Sequence, residues 1–484
     1  MLPFKSLVLL DKNSRTPIYL QMINQFIDLI QHGTLQSGQR LISSRALSIQ
    51  LGVHRKTIVF VYDDLISQGW LEAKKGSGTF VAKRLPIIQP VKLPIESSAH
   101  RRKAGFRFEH KAVIAKQVEN STRCKWHLDD GFPDPRLAPL LYLARAYRNQ
   151  VTRGNLYVKL GYGDTRGSQA LREQLAVYLN DTRGLKITSN NVLIVRGTMM
   201  GFYLANLALV KKGDRVVMSN MNWESGRMNS LHAGASVVSV STDKNGMVVD
   251  ALEKLCKKKP VRMVYVTPHH DYPTSVTLKA DRRVKLLSLA EKYGFVIFED
   301  DYDYDFHYES RPILPLASVD KRGMVLYSGS FTKSISPAFR VGYLVGPEEA
   351  IEHLAYHRRI IDRQGDLILE NAIAELLKEN IIQKHLKKAL KEYRDRRNTF
   401  CDLLQERMSS QISFQIPEGG MAVWANFDRR IDLAKTTEKA FKNNLYLNAG
   451  VATKTSNAVR LGFASSNIKE LDQCVDILKR SITV

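Results

Sequence analysis

The sequence has few cysteines and no long apolar stretch. Its 484 residues include four cysteines, which lie far apart and show none of the Cys/His spacings that bind zinc. No run of about 18 apolar residues occurs, which argues against a membrane-spanning helix. A short apolar patch at 7–10 is followed directly by Asp11 and Lys12, so it lacks the length of a signal peptide. We therefore expect reduced thiols, no bound metal and a cytoplasmic protein.

Positive charge, in contrast, is abundant. The chain carries 72 lysines and arginines against 48 acidic residues, a net charge of +24, and 44% of its residues are hydrophobic. This hydrophobic fraction is enough for large packed cores, and the length allows about three domains. A net positive charge attracts phosphate backbones, but it also keeps proteins soluble. It therefore supports nucleic-acid binding only together with a motif.

Composition divides the chain into three parts. Residues 1–84 show short helical patterns that end in a glycine-marked hairpin. Residues 85–125 lack periodicity, contain several prolines and a basic cluster, and are typical of a linker. From 126 to 484, short β-branched runs alternate with amphipathic helices, which predicts an α/β domain with a mainly parallel sheet. The predicted strands are 192–195, 215–218, 237–240, 263–266, 295–298 and 324–327.

The first part has the pattern of a winged helix-turn-helix. A helical stripe at 17–31 precedes two further helices that are separated by a turn at Gly52. Ser43 or Ser44 can cap the first of these helices, and the second begins near Arg55. The hairpin that follows would form the wing, and its glycines would allow the backbone to approach DNA closely.

The first turn of the second helix carries Arg55, Lys56 and Thr57. In a helix-turn-helix this turn points into the major groove, where Arg and Lys can donate to guanine or to phosphates. Taken alone, two basic residues at a helix start are as well explained by solvation. Because the turn before this helix and the wing after it stand at the expected positions, DNA binding is the favoured explanation.

The segment 16–82 resembles the GntR family of bacterial regulators. The matching motifs are TPIYLQ, SGQRLISSRAL, LGVHRKTI, VYDDLISQGWL and KGSGTFV. Spacing and resemblance together predict DNA contacts at Arg45, Arg55, Lys56, Thr57, Gly78 and Thr79. The sequence departs from the family at His54 and Lys56, where a serine and a small residue are usual, so the base preference stays open.

A second chemical pattern lies at 328–346. This stretch follows an apolar strand and contains Ser330, Lys333 and Arg340. A cofactor with an aldehyde and a phosphate needs an amine for a Schiff base, which Lys333 can supply, and hydroxyl and guanidinium groups for its phosphate. Upstream, the segment VIFEDDYDYDF ends a strand with carboxylates that can pair with a protonated pyridine nitrogen. Tyr302 in this segment can bond to the ring hydroxyl.

These segments resemble fold-type I aminotransferases, and the whole arrangement resembles the MocR/GabR family of regulators. The resemblance covers about 128–484 and rests on GFPDPRLAP, YGDTRGSQALREQLAVYL, IVRGTMMG, TPHHDYPTS, EDDYDYDF, SFTKSISPAFRVGYLVGP, PEGGMAVW and VRLGFAS. It implies a pyridoxal 5′-phosphate site on an aminotransferase-like domain. It also implies a smaller C-terminal α+β subdomain at about 370–484.

The resemblance assigns a role to each residue of the cofactor set. It implies Lys333 as the Schiff-base lysine, Asp300 as the partner of the pyridine nitrogen and Tyr302 as a contact of the ring oxygen O3′. The phosphate ligands that it implies are Ser330, Arg340 and the backbone amides of Thr198 and Met199, near a helix N-terminus.

The resemblance also concerns the rim of the site. Trp223 stands where the family has an aromatic residue that stacks on the ring, and Tyr272 where relatives often have an asparagine. Arg460 aligns with the arginine that binds an α-carboxylate, and Arg227 with a second effector arginine. Either arginine is alternatively an ordinary surface residue. Tyr162 would reach the phosphate of a neighbouring subunit.

Three rim segments depart from the family pattern. The chain has TMM at 198–200 instead of SQQ, NMNW at 220–223 instead of NPGY, and HDYPTS at 270–275 instead of HQYPTG. Because the Schiff-base set is intact, we expect cofactor binding. The altered rim indicates an unusual effector or a weakened catalytic cycle.

Three functional hypotheses follow. The leading one is a bacterial, homodimeric DNA-binding transcriptional regulator that binds pyridoxal phosphate and senses a small amine, an amino acid or the cofactor itself. The second is an active aminotransferase with a vestigial DNA-binding domain. The third is a DNA-binding protein whose large domain is only a dimerisation scaffold. The effector, the operator, the sign of regulation and the extent of transamination stay open.

Overall fold

The computed structural model describes residues 3–12, 14, 16–86, 106–107, 124–221, 223–309, 313–448, 450–452 and 456–484. The chain forms two compact units, Met1–Glu109 and His110–Val484. The predicted linker at 85–125 lies mostly outside the described residues. The boundaries at 84, at 125 and near 370 therefore stay predictions.

The first unit is a winged helix-turn-helix. Its elements are α1 (Phe4–Leu7), α2 (Ile18–Gln31), α3 (Ser44–Leu51), α4 (Arg55–Ser67), β1 (Leu71–Lys74) and β2 (Gly78–Val81). The apolar stripe of α2 packs on α4, and Phe26 lies fully buried between the rings of Phe4 and Tyr62. The strands β1 and β2 pair antiparallel to form the wing.

Local chemistry sets the ends of the two central helices. Ser43 caps α3 by accepting a hydrogen bond from the Ala46 amide, and Gly52 ends it in the left-handed conformation that glycine adopts without strain. The N-cap of α4 is a histidine, which is unusual. The Nδ1 atom of His54 accepts a hydrogen bond from the Lys56 amide at 3.2 Å. The departure from serine at this position therefore keeps the capping function.

The second unit is an α/β domain. Its helices are α5 (Leu140–Thr152), α6 (Leu156–Lys159), α7 (Gln169–Arg183), α8 (Gly197–Leu209), α9 (Glu224–His232), α10 (Val249–Lys258), α11 (Ala280–Tyr293), α12 (Leu316–Val319), α13 (Glu348–Ile361), α14 (Leu367–Lys378), α15 (Ile381–Met408), α16 (Leu433–Lys442) and α17 (Ile468–Ser481). Its strands are β3 (Trp126–Leu128), β4 (Val192–Val195), β5 (Arg215–Ser219), β6 (Ser236–Val240), β7 (Thr242–Asp243), β8 (Gly246–Met247), β9 (Met263–Val266), β10 (Val296–Asp301), β11 (Val325–Ser330), β12 (Gly342–Val345), β13 (Ile412–Phe414), β14 (Ala422–Phe427), β15 (Leu445–Leu447), β16 (Val451–Ala452) and β17 (Asn457–Gly462).

A seven-stranded sheet forms the centre of this unit, in the order β4-β12-β11-β10-β9-β5-β6. Strand β12 runs antiparallel to both of its neighbours, and the remaining pairs are parallel. The strands β4 and β9 are buried along their whole length, as expected for a sheet that helices cover on both faces. The mainly parallel α/β fold is thus confirmed, and each of the six predicted strands forms within two residues of its predicted bounds or extends beyond them.

The sheet determines where a site can form. Strands β4, β5, β9, β10 and β11 all run in one direction, so the loops after them emerge at the same edge. In open α/β sheets, ligands bind at this carboxyl edge. The segments that carry the predicted cofactor residues begin here.

A smaller sheet lies towards the C-terminus, with the strand order β13-β14-β17-β16. The 28-residue helix α15 and the helix α17 contact one another beside it. Strand β17 places the Arg460 side chain in the buried interior. Within the described ranges, no helix is long and apolar enough to cross a membrane.

Candidate cofactor site and DNA-binding surface

Lys333 lies three residues after the end of β11, at the carboxyl edge of the sheet. Its Nζ atom donates hydrogen bonds to the carbonyl oxygen of Gly131 at 2.6 Å and to that of Asp130 at 3.5 Å. Burial lowers the pKa of Lys333. A larger fraction of the amine is therefore neutral at a given pH, and only the neutral amine attacks an aldehyde.

Asp300 is the penultimate residue of β10 and is buried. Tyr265 donates a hydrogen bond to its Oδ2 atom at 2.7 Å, and the Thr198 hydroxyl donates to its Oδ1 atom at 3.2 Å. Burial raises the pKa of Asp300 to about 7. None of the described residues forms an ion pair with the Asp300 carboxylate, and a protonated ring nitrogen would provide a cationic partner.

Tyr302 and Arg460 contact one another at the same edge of the sheet. The Tyr302 hydroxyl donates to the carbonyl oxygen of His270 at 2.9 Å, and Arg460 Nη2 donates to the same hydroxyl at 3.4 Å. Arg460 Nη1 donates to Pro273 O at 2.7 Å and to Ser275 Oγ at 2.9 Å. Strand β17 therefore brings the predicted carboxylate-binding arginine next to residues that follow β9 and β10.

A cluster of donors surrounds the start of α8. Arg340 adopts a left-handed backbone conformation, and its Nη2 atom donates to the carbonyl oxygen of Arg196 at 2.8 Å. A β-carbon on Gly197 would lie 3.0 Å from that Nη2 atom, so glycine leaves the space between the helix end and the guanidinium. The hydroxyl of Ser330 bonds to Thr332 Oγ1 at 2.7 Å. A helix N-terminus with a guanidinium and hydroxyls suits a phosphate.

These observations fit pyridoxal phosphate. The carboxyl edge presents an amine of lowered pKa, a buried carboxylate without a cation, and a glycine-lined donor cluster. The set matches the aldehyde, the pyridine nitrogen and the phosphate of that cofactor respectively. The amine, the carboxylate and the phosphate-binding donors all lie at this one edge of the sheet.

The rim residues divide into two groups. Trp223 is half-buried and lies 6.2 Å from the Tyr265 ring, and Tyr272 lies under the Arg460 guanidinium at 5.3 Å. In contrast, Arg227 forms a bidentate ion pair with Glu224, with distances of 2.8 and 2.9 Å, on the outside of α9. Tyr162 and Met199 are likewise exposed. Their roles, and that of Arg227, stay predictions.

The predicted DNA contacts lie on the surface of the first unit. Arg45, Arg55 and Lys56 are exposed, and Thr57 is half-buried at the start of α4. Gly78 lies at the start of β2 with φ +109, where a β-carbon would approach Arg40 Nε to 3.3 Å. The wing adds Lys74 at the end of β1 and Lys75 in the turn after it, so this unit presents a basic helix start and two lysines at the wing tip.

Sequence reasoning missed two residues of the candidate cofactor site, Tyr265 and Asp130, and the side-chain contact of a third, Thr198. Tyr265 and Thr198 bind Asp300 through their hydroxyls, whereas only the amide of Thr198 was expected to act. Asp130 forms an ion pair with Arg460, with 3.2 Å between Oδ1 and Nε. Tyr265 lies next to the last residue of β9, so its position at a strand end was an available signal. Asp130 offered none, because its partner is far away in the sequence.

Comparisons with known proteins agree with this description. Residues 158–478 match the family model described as aminotransferase class I and II, and residues 18–81 match that of bacterial regulatory proteins of the gntR family. The uncharacterized HTH-type transcriptional regulator YisV of Bacillus subtilis is 27% identical over 468 residues, which are 95% of each chain. The probable rhizopine catabolism regulatory protein MocR of Rhizobium meliloti is 27% identical, covering 88% of this chain and 85% of the relative.

One solved structure similar to the second unit is an archaeal alanine:glyoxylate aminotransferase. Its TM-score is 0.69 at 26% identity, and the match covers 73% of this chain and 90% of that one. Fold and side chains together define a fold-type I aminotransferase domain that follows a GntR-type winged helix-turn-helix. The chain belongs to the class I and II aminotransferase family, and its two-domain architecture is that of the MocR/GabR regulators.

Proposed function

We propose that this protein is a DNA-binding transcriptional regulator that binds pyridoxal phosphate and responds to a small amine, an amino acid or the cofactor itself. The observation that carries the proposal is the presence, in one chain, of an exposed basic recognition helix and of Lys333, Asp300 and Tyr302 at one sheet edge. The relatives that match both units are named as regulators, so the aminotransferase hypothesis is not favoured.

In the second unit, each residue would hold one part of the cofactor. Pyridoxal phosphate supplies an aldehyde that reacts reversibly with primary amines and a ring that accepts electron density. Lys333 would anchor the aldehyde carbon, and Asp300 would keep the proton on the pyridine nitrogen. Tyr302 would donate to O3′, and Ser330 and Arg340 would bind the phosphate. Thr198 and Tyr265 would fix the orientation of the Asp300 carboxylate.

In the first unit, α4 would enter the major groove. Arg55 and Lys56 are unengaged by protein carboxylates in the described contacts of this unit, so they are free to donate to base edges or phosphates. His54 fixes the helix start that presents them. A homodimer would place two such helices on repeated half-sites. In that dimer, Tyr162 would reach the partner's cofactor phosphate.

The two sites would be coupled through Lys333. Lys333 would hold the aldehyde carbon of the bound cofactor, and the cofactor would supply a carbon that can bond either to this amine or to the amine of an effector. DNA affinity then changes if the effector-bound protein binds DNA with a different free energy. Regulation by an amine therefore requires Lys333, whereas DNA binding itself does not.

The experiment that tests this proposal is a DNA titration. A labelled fragment from upstream of the protein's own gene is titrated with cofactor-free protein, with protein loaded with pyridoxal phosphate, and with Lys333→Ala treated identically. We expect specific binding in all three cases and a change of about fivefold or more on loading wild type only. Absence of binding beyond that to scrambled DNA, or an equal response of Lys333→Ala, would contradict the proposal.

A further inference from the structure

The ion pair between Arg460 and Asp130 lies where an α-carboxylate is expected. The predicted role of Arg460 is to bind the carboxylate of an amino acid, which takes two adjacent N–H groups of a guanidinium. In this chain the Asp130 carboxylate already lies 3.2 Å from Arg460 Nε. The Arg460 side chain is 4% exposed and the Asp130 side chain 30%, so the acidic group is on the open side of the pair.

The remaining donors of Arg460 also have partners. Nη1 bonds to Pro273 O and Ser275 Oγ at 2.7 and 2.9 Å, and Nη2 reaches the Tyr302 hydroxyl at 3.4 Å. The two terminal nitrogen atoms thus bond to groups of the protein, whereas Nε faces Asp130 Oδ1 at ion-pair distance and makes no hydrogen bond among the described residues. A ligand carboxylate would have to displace Asp130 or add a second carboxylate beside it.

A rigid frame holds Asp130 in this position. The preceding Asp129 is buried and accepts a hydrogen bond from the Phe132 amide at 2.8 Å. Gly131 has φ +74, and a β-carbon there would lie 3.1 Å from Met421. The carbonyl oxygens of Asp130 and Gly131 accept hydrogen bonds from Lys333, so the carboxylate lies beside the amine as well as beside Arg460.

Charge decides which ligands fit such a site. Arg460 and Asp130 neutralise one another, so the pair as a whole carries no charge. An α-carboxylate would place a second carboxylate beside Asp130 on a single guanidinium, in a site largely removed from water, which is unfavourable. A ligand that carries only the reacting amine on that carbon adds no such charge.

We propose that the effector is a primary amine without a carboxylate on the amine-bearing carbon, and that Asp130 excludes α-amino acids. This inference rests on the proposed function, because it takes the cofactor to be anchored at Lys333. Asp130 acts as a specificity-determining residue, because its carboxylate lies against the Nε side of the Arg460 guanidinium, where a ligand carboxylate would bind.

A matched pair of cofactor adducts tests the inference without any turnover. The probes are N-(5′-phosphopyridoxyl)-L-leucine and N-(5′-phosphopyridoxyl)-3-methylbutylamine, which differ only in the α-carboxylate. Their dissociation constants are measured by calorimetry with cofactor-free wild type and with Asp130→Asn. The control is Asp428→Asn, which removes a half-buried carboxylate that is paired with Arg430 just after β14.

We expect wild type and the control variant to prefer the amine adduct by about tenfold or more, and Asp130→Asn to lose or reverse this preference. Equal or tighter binding of the leucine adduct to wild type would overturn the inference and leave the proposed function intact. The same preference in wild type and Asp130→Asn would overturn the role of Asp130. If neither adduct nor pyridoxal phosphate binds wild type, the proposed function fails as well. Should Asp130→Asn not fold, the wild-type preference alone still decides the effector class.

Discussion

The two units carry their candidate functional residues in opposite ways. In the first unit, Arg55 and Lys56 are exposed at the start of α4, where they are accessible to an external ligand. In the second, Asp300 and Arg460 are buried, and protein groups already engage them. Exposed charges in water interact weakly with one another and are screened by salt, whereas buried ones acquire shifted pKa values and strict geometric demands.

This difference explains how each unit can be changed. Removing an exposed cation takes away one contact with the ligand and leaves the fold intact. Removing a buried group leaves its neighbours without partners, which costs free energy even before a ligand is present. The predictions below separate the two units on this basis, beginning with the largest expected effect.

Phe26→Ala should disable the first unit alone. Phe26 is fully buried between Phe4 and Tyr62, and its truncation costs roughly 3–5 kcal/mol of unfolding free energy. We expect specific DNA binding to be lost while the visible absorption band of the bound cofactor persists. The matched control is Phe60→Ala, since Phe60 is 52% exposed and should tolerate the change. Joint loss of the band would show that the units do not fold separately.

Asp300→Ala should affect only the second unit. Without the carboxylate, the protonated pyridine nitrogen would be buried opposite an apolar methyl group, and truncation of such a pair costs roughly 2–5 kcal/mol. We expect cofactor affinity, measured by titration of the visible band, to fall accordingly, with DNA binding by the cofactor-free protein unchanged. Asp428→Ala, which removes a half-buried carboxylate elsewhere in the second unit, serves as the control. Unaltered cofactor affinity in Asp300→Ala would remove Asp300 from the site.

Arg55→Ala should weaken DNA binding by roughly 1–3 kcal/mol, because one base or phosphate contact of the recognition helix is lost. Fluorescence anisotropy on the upstream fragment measures this change. Arg430→Ala, which removes the same charge at a side chain that is 78% exposed in the second unit, should have little effect. Equal losses in the two variants would mean that net charge, and not the helix, determines affinity.

The last prediction concerns pH. Burial raises the pKa of Asp300 from its ordinary value, roughly 4, to about 7. Between these two values the folded chain holds a proton that the unfolded chain releases, so this group lowers stability as pH rises towards neutrality. Asp300→Asn cannot ionise. In the cofactor-free protein, we expect the Tm of the variant minus that of wild type to increase from pH 4 to pH 8, and a constant difference would contradict the shift.

Much of the second unit was predictable because local pattern and position agree. Buried strands of β-branched residues fix the sheet. Asp300 lies near the end of β10, and Tyr302 and Lys333 follow the ends of β10 and β11 at the same edge of the sheet. In the first unit, the turn at Gly52 and the helix start at Arg55 are likewise local features. A structural feature that depends on one short segment can be predicted from the sequence of that segment.

Long-range pairing was not predictable. Asp130 and Arg460 are 330 positions apart, and no periodicity links β17 to the segment after β3. The ion pair of Arg227 is local, unlike that of Arg460. Glu224 precedes Arg227 by three residues on the same helix, a spacing at which opposite charges pair. That contact was available from the sequence, and it places the Arg227 guanidinium on a neighbouring carboxylate.

The central claim is that Lys333 anchors pyridoxal phosphate in this chain, and the visible absorption spectrum tests it most directly. Purified wild type and Lys333→Ala are each incubated with pyridoxal phosphate, and excess cofactor is removed. We predict a retained visible band in wild type alone, which changes when 3-methylbutylamine is added. No band in either protein would contradict the account and leave a DNA-binding unit attached to a domain without a cofactor.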